Sequence, residues 1–423
     1  MKNLILYGSQ NLSNRKCGVE NISNFRGNIN TIQKIRNARF AGSTVVEKKV
    51  EDKSIVLSGV IRATDDLTFE EVLNEYSKAL AKEDRYLRVS TNYHVFTDLE
   101  DSTGWQVQGD STILSFDSEV FQYADGSIKF DTETSKANGY CGVYTETGTD
   151  TDLSSYGNSG AFEAWVYLHQ STGVSSIELK VGSSSANYYS DTVNTQYDGT
   201  PLEVGWNYVS FLIQKMDITG TIDPYSMGEY LSIKINYDSL MVDRDSFRVG
   251  GVLWQEESRT RNFKGFVEDF RVDMEHYDVD RAGFYLNLIA YEGVAESTGD
   301  YVILGSSEQT AATYTDEVDL EGTYTPLPKF TVNISAATNV SQVTLTNITT
   351  GDKVDVTRTY TAGERLVIDT KKKDVSVDGI SVDYDDVLPR FILGENDVQV
   401  SIASTALETI DELVQDANLT GEV

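Results

Sequence analysis

Apolar and polar residues alternate with a period of two over most of the chain, the mark of strands with one buried face. In residues 161–169, Phe162, Ala164, Val166 and Leu168 fall on one face, and Glu163, Trp165, Tyr167 and His169 on the other. The same alternation sets Ile177, Leu179 and Val181 against Glu178 and Lys180, and Val209, Phe211 and Ile213 against Tyr208 and Ser210. It also sets Leu231, Ile233 and Ile235 against Ser232, Lys234 and Asn236. Four strands with one greasy and one polar-aromatic face predict a β-sandwich. Further strands are expected at 330–334, 343–347, 354–357, 365–369 and 375–377, with Gly351, Gly363 and Gly379 at the turns between them.

Two segments follow a helical period instead. Thr68 and Glu71 have capping-box spacing, and Phe69, Val72, Leu73, Tyr76 and Leu80 make one apolar stripe, so a helix is predicted there. Thr405 and Glu408 repeat the spacing ahead of Leu407, Ile410, Leu413 and Val414, which predicts a short C-terminal helix. Residues 44–62 alternate loosely and are expected to pair as strands across a turn near Asp52.

Charge divides this pattern. Residues 1–60 hold ten Lys/Arg against four acids, whereas residues 97–251 hold seven against 23, which suggests an independent module with its own surface. The net charge of -31 opposes nucleic-acid wrapping and contact with an anionic membrane. The basic start of the chain, including Arg15, Lys16, Arg26, Lys34, Arg36 and Arg39, is expected to meet acidic neighbours in an assembly. No apolar run reaches membrane-spanning length, and the run Leu4–Leu6 is too short for a secretory signal. Cys17 and Cys141 are expected to be structural thiols.

Nothing at motif level marks an enzyme. There is no nucleophile elbow, phosphate loop, zinc-ligand spacing or paired-carboxylate strand of the E-x-D-x-x-E type, and no catalytic residue is assigned. The candidate chemistry is sugar recognition, in which flat aromatic faces stack on a pyranose while amides and charges take its hydroxyls. The preferred set is Trp165, Tyr167 and His169 on one strand face, with Tyr208, Lys180 and Asn236 beside them; Trp105, Tyr188 and Tyr189 form a second set. The competing reading of the first set is that a second layer covers the face and its aromatics are core. Asp98, Glu100, Asp125 and Asp131 are candidates for a calcium site, against the plainer reading of a solvated acidic surface.

Three stretches carry a family resemblance. The capped-helix unit from Thr68, the strand FKGFVEDFRVDME, and an all-β region with Asn347 to Gly351, Leu366 to Gly379 and Pro389 to Asn396 together resemble siphophage distal tail proteins. The resemblance covers residues 40–95 and 262–403, and implies a belt domain that closes a sixfold ring and a C-terminal galectin-like domain. Where the family's belt is continuous, this chain carries about 155 extra residues, as the so-called evolved forms do. Phrases within that insert, among them GAFEAWVYL and GWNYVSFLI, look like jelly-roll carbohydrate-binding modules.

The chain is therefore expected to be mainly β. The parts are a discontinuous α+β belt domain at 1–96 and 252–282, an inserted jelly-roll β-sandwich at 97–251, a galectin-like β-sandwich at 283–403, and a helix and tail at 404–423. The resemblance implies a structural protein of the virion tail tip, assembled in the host cytoplasm. Its implied partners are further copies in a homohexameric ring, the tail tube protein, the tail-tip hub or baseplate proteins, and host cell-surface polysaccharide, with no cofactor other than calcium. Two other readings stand beside it: a secreted or surface lectin of a bacterium, and a glycan-degrading tail enzyme.

Overall fold

A computed structural model describes residues 3–416 apart from 24–29, 37–42, 51, 65–66, 92, 98, 100, 124, 133–137, 157–159, 239–246, 257–259, 279, 292–299, 303–312, 321–328, 335–339, 371–372, 393 and 405–409. The chain is mostly strand and forms two compact units, Met1–Val294 and Ala295–Val423.

The first unit is built on a seven-stranded antiparallel sheet, here the scaffold sheet. Its strands run in the order Gln10–Asn11, Leu4–Tyr7, Arg85–Ser90, Thr260–Asp278, Arg281–Ala290, Lys53–Arg62 and Cys17–Ser23. Arg85–Ser90 and Thr260–Asp278 are neighbours although 169 residues separate Ser90 from Thr260 in their numbering, and Ser90 faces Thr260 across the ladder. The two halves of the scaffold thus rejoin in one sheet. One helix, Phe69–Leu80, packs on it. Its Thr68 hydroxyl accepts from the Glu71 amide while the Glu71 carboxylate accepts from the Thr68 amide, and Phe69, Val72, Tyr76 and Leu80 are buried.

Between those neighbouring strands the chain builds a sandwich. Its inner sheet runs Ser111–Asp117, Ser127–Thr132, Phe247–Gln255, Ala161–Leu168 and Gly205–Leu212, with Tyr93–Val95 pairing with Phe247–Gln255. Its outer sheet runs Asp217–Thr219, Asn187–Val193, Val174–Ser184, Tyr230–Tyr237, Gly139–Thr145 and Trp105–Gly109. The residues read as inward-facing form the core between the sheets, including Phe162, Val166, Leu179, Phe211, Ile233 and Ile235.

The second unit is also a two-sheet sandwich. One sheet runs Asp300–Val302, Ile410–Asp416, Lys329–Ile334, Arg365–Asp369, Asp374–Val377 and Ile380–Ser381; the other runs Thr313–Leu320, Gly394–Ser404, Val340–Asn347, Asp352–Thr357 and Asp385–Asp386. Phe330, Val332, Leu366 and Ile368 from the first meet Val343, Leu345, Val354 and Val400 from the second.

Four expectations change here. The insert reaches beyond 97–251, because Tyr93–Val95 joins its inner sheet and Phe247–Gln255 runs past its expected end. Arg281–Ala290 belongs to the scaffold sheet rather than the C-terminal domain, since it pairs along its whole length with Lys53–Arg62. Residues 44–62 are not a hairpin: Ser43–Val50 pairs with Asn30–Arg36, while Lys53–Arg62 pairs with Cys17–Ser23 and Arg281–Ala290. The expected C-terminal helix is, over Ile410–Asp416, a strand paired with Lys329–Ile334. Ile410, Leu413 and Val414 have helical spacing, and ladder pairing with Lys329–Ile334 overrides that local signal; the cap at Thr405 and Glu408 lies outside the described residues.

Candidate functional site: the outer face of the inserted sandwich

The inner sheet turns its aromatic face to the scaffold. Trp165 and Tyr208 are cross-strand partners, fully buried, with ring centroids 4.5 Å apart, and they pack with Leu253 and Tyr197 against Leu4 and Leu6. The Trp165 indole donates to the Ser9 carbonyl at 3.1 Å, and the Tyr208 amide donates to the Ser9 hydroxyl at 2.9 Å. The preferred sequence candidates Trp165 and Tyr208 are therefore core of the joint between sandwich and scaffold, closed to any sugar. Burying large rings with their polar atoms satisfied makes such a joint rigid.

Polar groups complete the joint. Asn11 donates twice to Gln122, from its backbone amide to Oε1 at 2.8 Å and from Nδ2 to the carbonyl at 2.9 Å. Lys16, expected to meet an acidic neighbour in an assembly, is buried within its own chain and donates to Glu75 at 2.9 Å and to the Glu119 carbonyl at 3.3 Å. Arg15 pairs with Asp125 at 3.4 Å, whereas Arg26 and Arg39 lie outside the described residues.

The remaining early candidates scatter. Tyr167 lies at the rim of the inner sheet, edge-on to Trp206 at 5.4 Å and under the Arg248 guanidinium at 4.8 Å. His169 follows that strand and is half-buried. Trp105 and Tyr189 pack onto the sandwich core. Of the acids, Asp98 and Glu100 lie outside the described residues, while Asp125 and Asp131 sit before and near the end of the strand Ser127–Thr132. The strand rises roughly 13 Å from Ser127 to Asp131, so the two acids stand toward opposite ends of it. Among the described residues no group of three or more His, Cys, Asp or Glu is placed to hold a metal.

Lys180, Asn236 and Tyr188 are brought together elsewhere, on the outer sheet's solvent face. Strand register orders that face into rows. One runs Ser190, Lys180, Ser232, Tyr144, Gln106; the next runs Thr192, Glu178, Lys234, Gly142, Gln108. Tyr188 and Tyr230, centroids 5.7 Å apart, lie beyond the first row; Asn236 and Tyr140 face each other beyond the second. A Cβ at Gly142 would collide with the Ile233 carbonyl, and the Gln108 side chain extends across this position to donate to that carbonyl at 3.1 Å.

Hydrogen bonds hold this surface in place. Lys180 donates to the Tyr188 hydroxyl at 3.2 Å and lies over its ring at 4.5 Å; Lys234 lies over the Tyr140 ring at 4.9 Å. Gln108 Nε2 donates to the Ser232 hydroxyl at 2.9 Å, the Tyr144 hydroxyl to Gln106 at 2.7 Å, and Asn236 to Ser176 at 3.1 Å. Burial alone would pull the Lys180 ammonium down, but the Tyr188 hydroxyl and Glu178 outweigh it and hold it above the usual lysine range. Hydrogen bonds from Thr219 and Lys180 pull the Tyr188 phenol below its usual value. A surface of ring faces, amides, hydroxyls and fixed charges has the chemistry of a sugar platform.

The sequence reading missed Tyr140, Tyr144, Tyr230, Gln106, Gln108, Glu178 and Lys234 as site residues. The period-two signal was present: in GYCGVYT, Cys141 and Val143 are buried and Tyr140, Gly142 and Tyr144 alternate with them.

In the second unit the resembling motifs meet. Asn347 Nδ2 donates to the Arg390 carbonyl at 2.8 Å and to Asn396 Oδ1 at 3.0 Å, while its own Oδ1 accepts from the Thr349 amide at 3.0 Å. Residues 321–410 match the family described as "Siphovirus-type tail component, C-terminal domain". Over those residues the chain is similar to the C-terminal domain of siphovirus-type tail components. This match supports the resemblance to siphophage distal tail proteins.

Three solved structures are similar over long stretches. The distal tail protein Dit of phage SPP1, titled a paradigm of hub adsorption apparatus in Gram-positive infecting phages, matches at 7% identity and TM-score 0.39, covering 99% of each chain. A family 11 carbohydrate-binding module from Clostridium thermocellum matches at 14% and 0.27, covering 39% of this chain and 95% of its own. A tandem of family 22 modules from Paenibacillus barcinonensis Xyn10C matches at 11% and 0.24, covering 78% and 98%. No curated protein matches the chain in sequence.

Proposed function

We propose that this chain is a structural distal tail protein of a long-tailed phage, which closes a homohexameric ring between the tail tube and the tail-tip or baseplate proteins. In this reading the inserted sandwich adds host-glycan binding through the outer face of its outer sheet, with no catalytic step. The tail role is supported by the family match over 321–410. The glycan role is carried by one observation: Tyr188, Tyr140, Lys180, Lys234, Gln108 and Asn236 share one solvent-facing sheet surface, while the more conspicuous tryptophan face is sealed against the scaffold. Ring closure requires heterologous contacts whose rotation returns to the start. Six weak sites on one ring would then act with an avidity ~10² to 10⁴ above that of one site.

Native mass spectrometry of the purified chain, alone and with the tube protein, tests the ring: a sixfold species is expected, and a monomer under both conditions removes that part. A glycan array probed with the full chain tests the platform. Tyr188→Ala and Tyr140→Ala should each weaken any bound glycan about tenfold, on the scale of one lost stacking contact. Reducing-sugar release from a bound polysaccharide would favour the enzyme reading instead.

A further inference from the structure

The inserted sandwich is strongly acidic, with 23 Asp/Glu against seven Lys/Arg over residues 97–251. Two of those seven cations, Lys180 and Lys234, nonetheless stand on adjacent strands in the middle of its solvent face. Both ammonium nitrogens lie within 3.5 Å of the same oxygen, Glu178 Oε1, at 3.5 and 2.9 Å. One carboxylate neutralises only one of two ammonium groups, so the centre of the face keeps a net positive charge. Two further acids, Asp217 opposite Ser190 and Glu146 after Thr145, stand at its margins.

The cations are also fixed. Each lies over a tyrosine ring, Lys180 over Tyr188 and Lys234 over Tyr140, and their side chains are only 19% and 17% exposed. Holding two ammonium groups this close, partly out of water, costs desolvation and mutual repulsion. A neutral sugar needs neither charge, because amides and hydroxyls suffice for its hydroxyls. A glycan that carries an anion uses both the ring faces and the excess charge, and a long-range acidic surround makes the cationic spot selective in place, since an anion is repelled everywhere else.

We propose that the glycan recognised by this face carries an anionic group, a carboxylate or a phosphodiester, seated at Lys180 and Lys234 while the neighbouring tyrosines stack on the sugar. This inference rests on the glycan-binding reading above and specifies its ligand class. A sugar-borne anion would bond to both ammonium groups in place of water and bring the local charge to zero.

The test titrates the full chain with two matched pairs: oligogalacturonate against its methyl ester, and phosphomannan against the same mannan after removal of phosphate. At least one anionic member is expected to bind about tenfold or more tightly than its neutral partner, with that advantage lost on going from roughly 50 to 500 mM NaCl as screening shortens. Which pair shows the advantage separates carboxylate from phosphodiester. Lys180→Gln with Lys234→Gln should abolish the advantage, Lys180→Arg with Lys234→Arg should keep it, and Glu178→Gln, which frees the second charge, should enlarge it. Equal, salt-insensitive binding of charged and neutral members, unchanged by these variants, overturns the anionic proposal and leaves glycan binding standing. Binding of neither pair, with no ligand on the array, removes both.

Discussion

Arg88 of the scaffold and Glu163 of the sandwich form an ion pair at 2.5 Å in which the side chains are only 3% and 0% exposed. Glu163 also accepts from the Tyr208 hydroxyl at 2.5 Å, and Arg88 donates to Gln255 Oε1 at 2.5 Å. The pair ties the strand Arg85–Ser90 to Ala161–Leu168 under the Trp165 cluster. Removing one partner of such a pair leaves a buried charge with no counter-charge, which costs about 3–5 kcal/mol, whereas replacing both by apolar groups is often close to neutral. Glu163→Leu is therefore expected to lower the denaturant midpoint of the first unit sharply, and Arg88→Met with Glu163→Leu to recover much of the loss. A double variant no better than the single one would show that the pair contributes little.

Trp165→Ala is expected to lower the stability of the first unit by about 3–5 kcal/mol, because a fully buried indole leaves a cavity. It should leave affinity per folded molecule unchanged. Tyr188→Ala should do the reverse, weakening ligand binding with little change in the unfolding midpoint. Thermal unfolding and titration on the same samples separate the two; loss of affinity in folded Trp165→Ala would restore the inner face as a site.

Asn347→Ala should destabilise the second unit by about 1–3 kcal/mol, since it leaves the Arg390 carbonyl, Asn396 Oδ1 and the Thr349 amide without this partner in a closed site. Asn347→Asp keeps the acceptor for Thr349 but sets a carboxylate against two oxygens, so it should be at least as harmful. Hydrogen exchange in the strands Val340–Asn347 and Gly394–Ser404 reports this locally.

Asp117 gives the sandwich an acid-sensitive element. Burial pushes its carboxyl up, but the Val120 amide and Arg248 outweigh that and hold it below the usual aspartate range. A depressed folded-state pKa means stability that is present above the unfolded value of about 4 and is lost as pH falls through the folded one. Asp117→Asn should therefore lower the melting temperature at pH 7 and flatten the acid limb below about pH 4. An unaltered acid limb would assign that loss to other carboxylates.

How much of this was legible beforehand depends on which forces decided each element. Alternation located the four central sandwich strands, and the Thr68–Glu71 box located the helix, because both signals are local and agree with the tertiary packing. The C-terminal strand was hidden because Ile410, Leu413 and Val414 have helical spacing, and only pairing with Lys329–Ile334, distant in sequence, overrides it. The site was half legible for the same reason. Period two tells that Trp165 and Lys180 both point away from the sandwich core, but it does not tell that one outward face meets Leu4 and Leu6 while the other meets solvent.

Ser90 and Thr260 sit opposite each other where the sandwich leaves and re-enters the scaffold. Their strands are third and fourth of seven, so the module is rooted at the middle of the sheet and not at an edge. A tug on the module would reach the scaffold through two stems at once, drawing both strands the same way and loading in shear the ladders to Leu4–Tyr7 and Arg281–Ala290. On the proposed reading, such an anchorage would suit a surface that keeps its grip while the particle is pulled about.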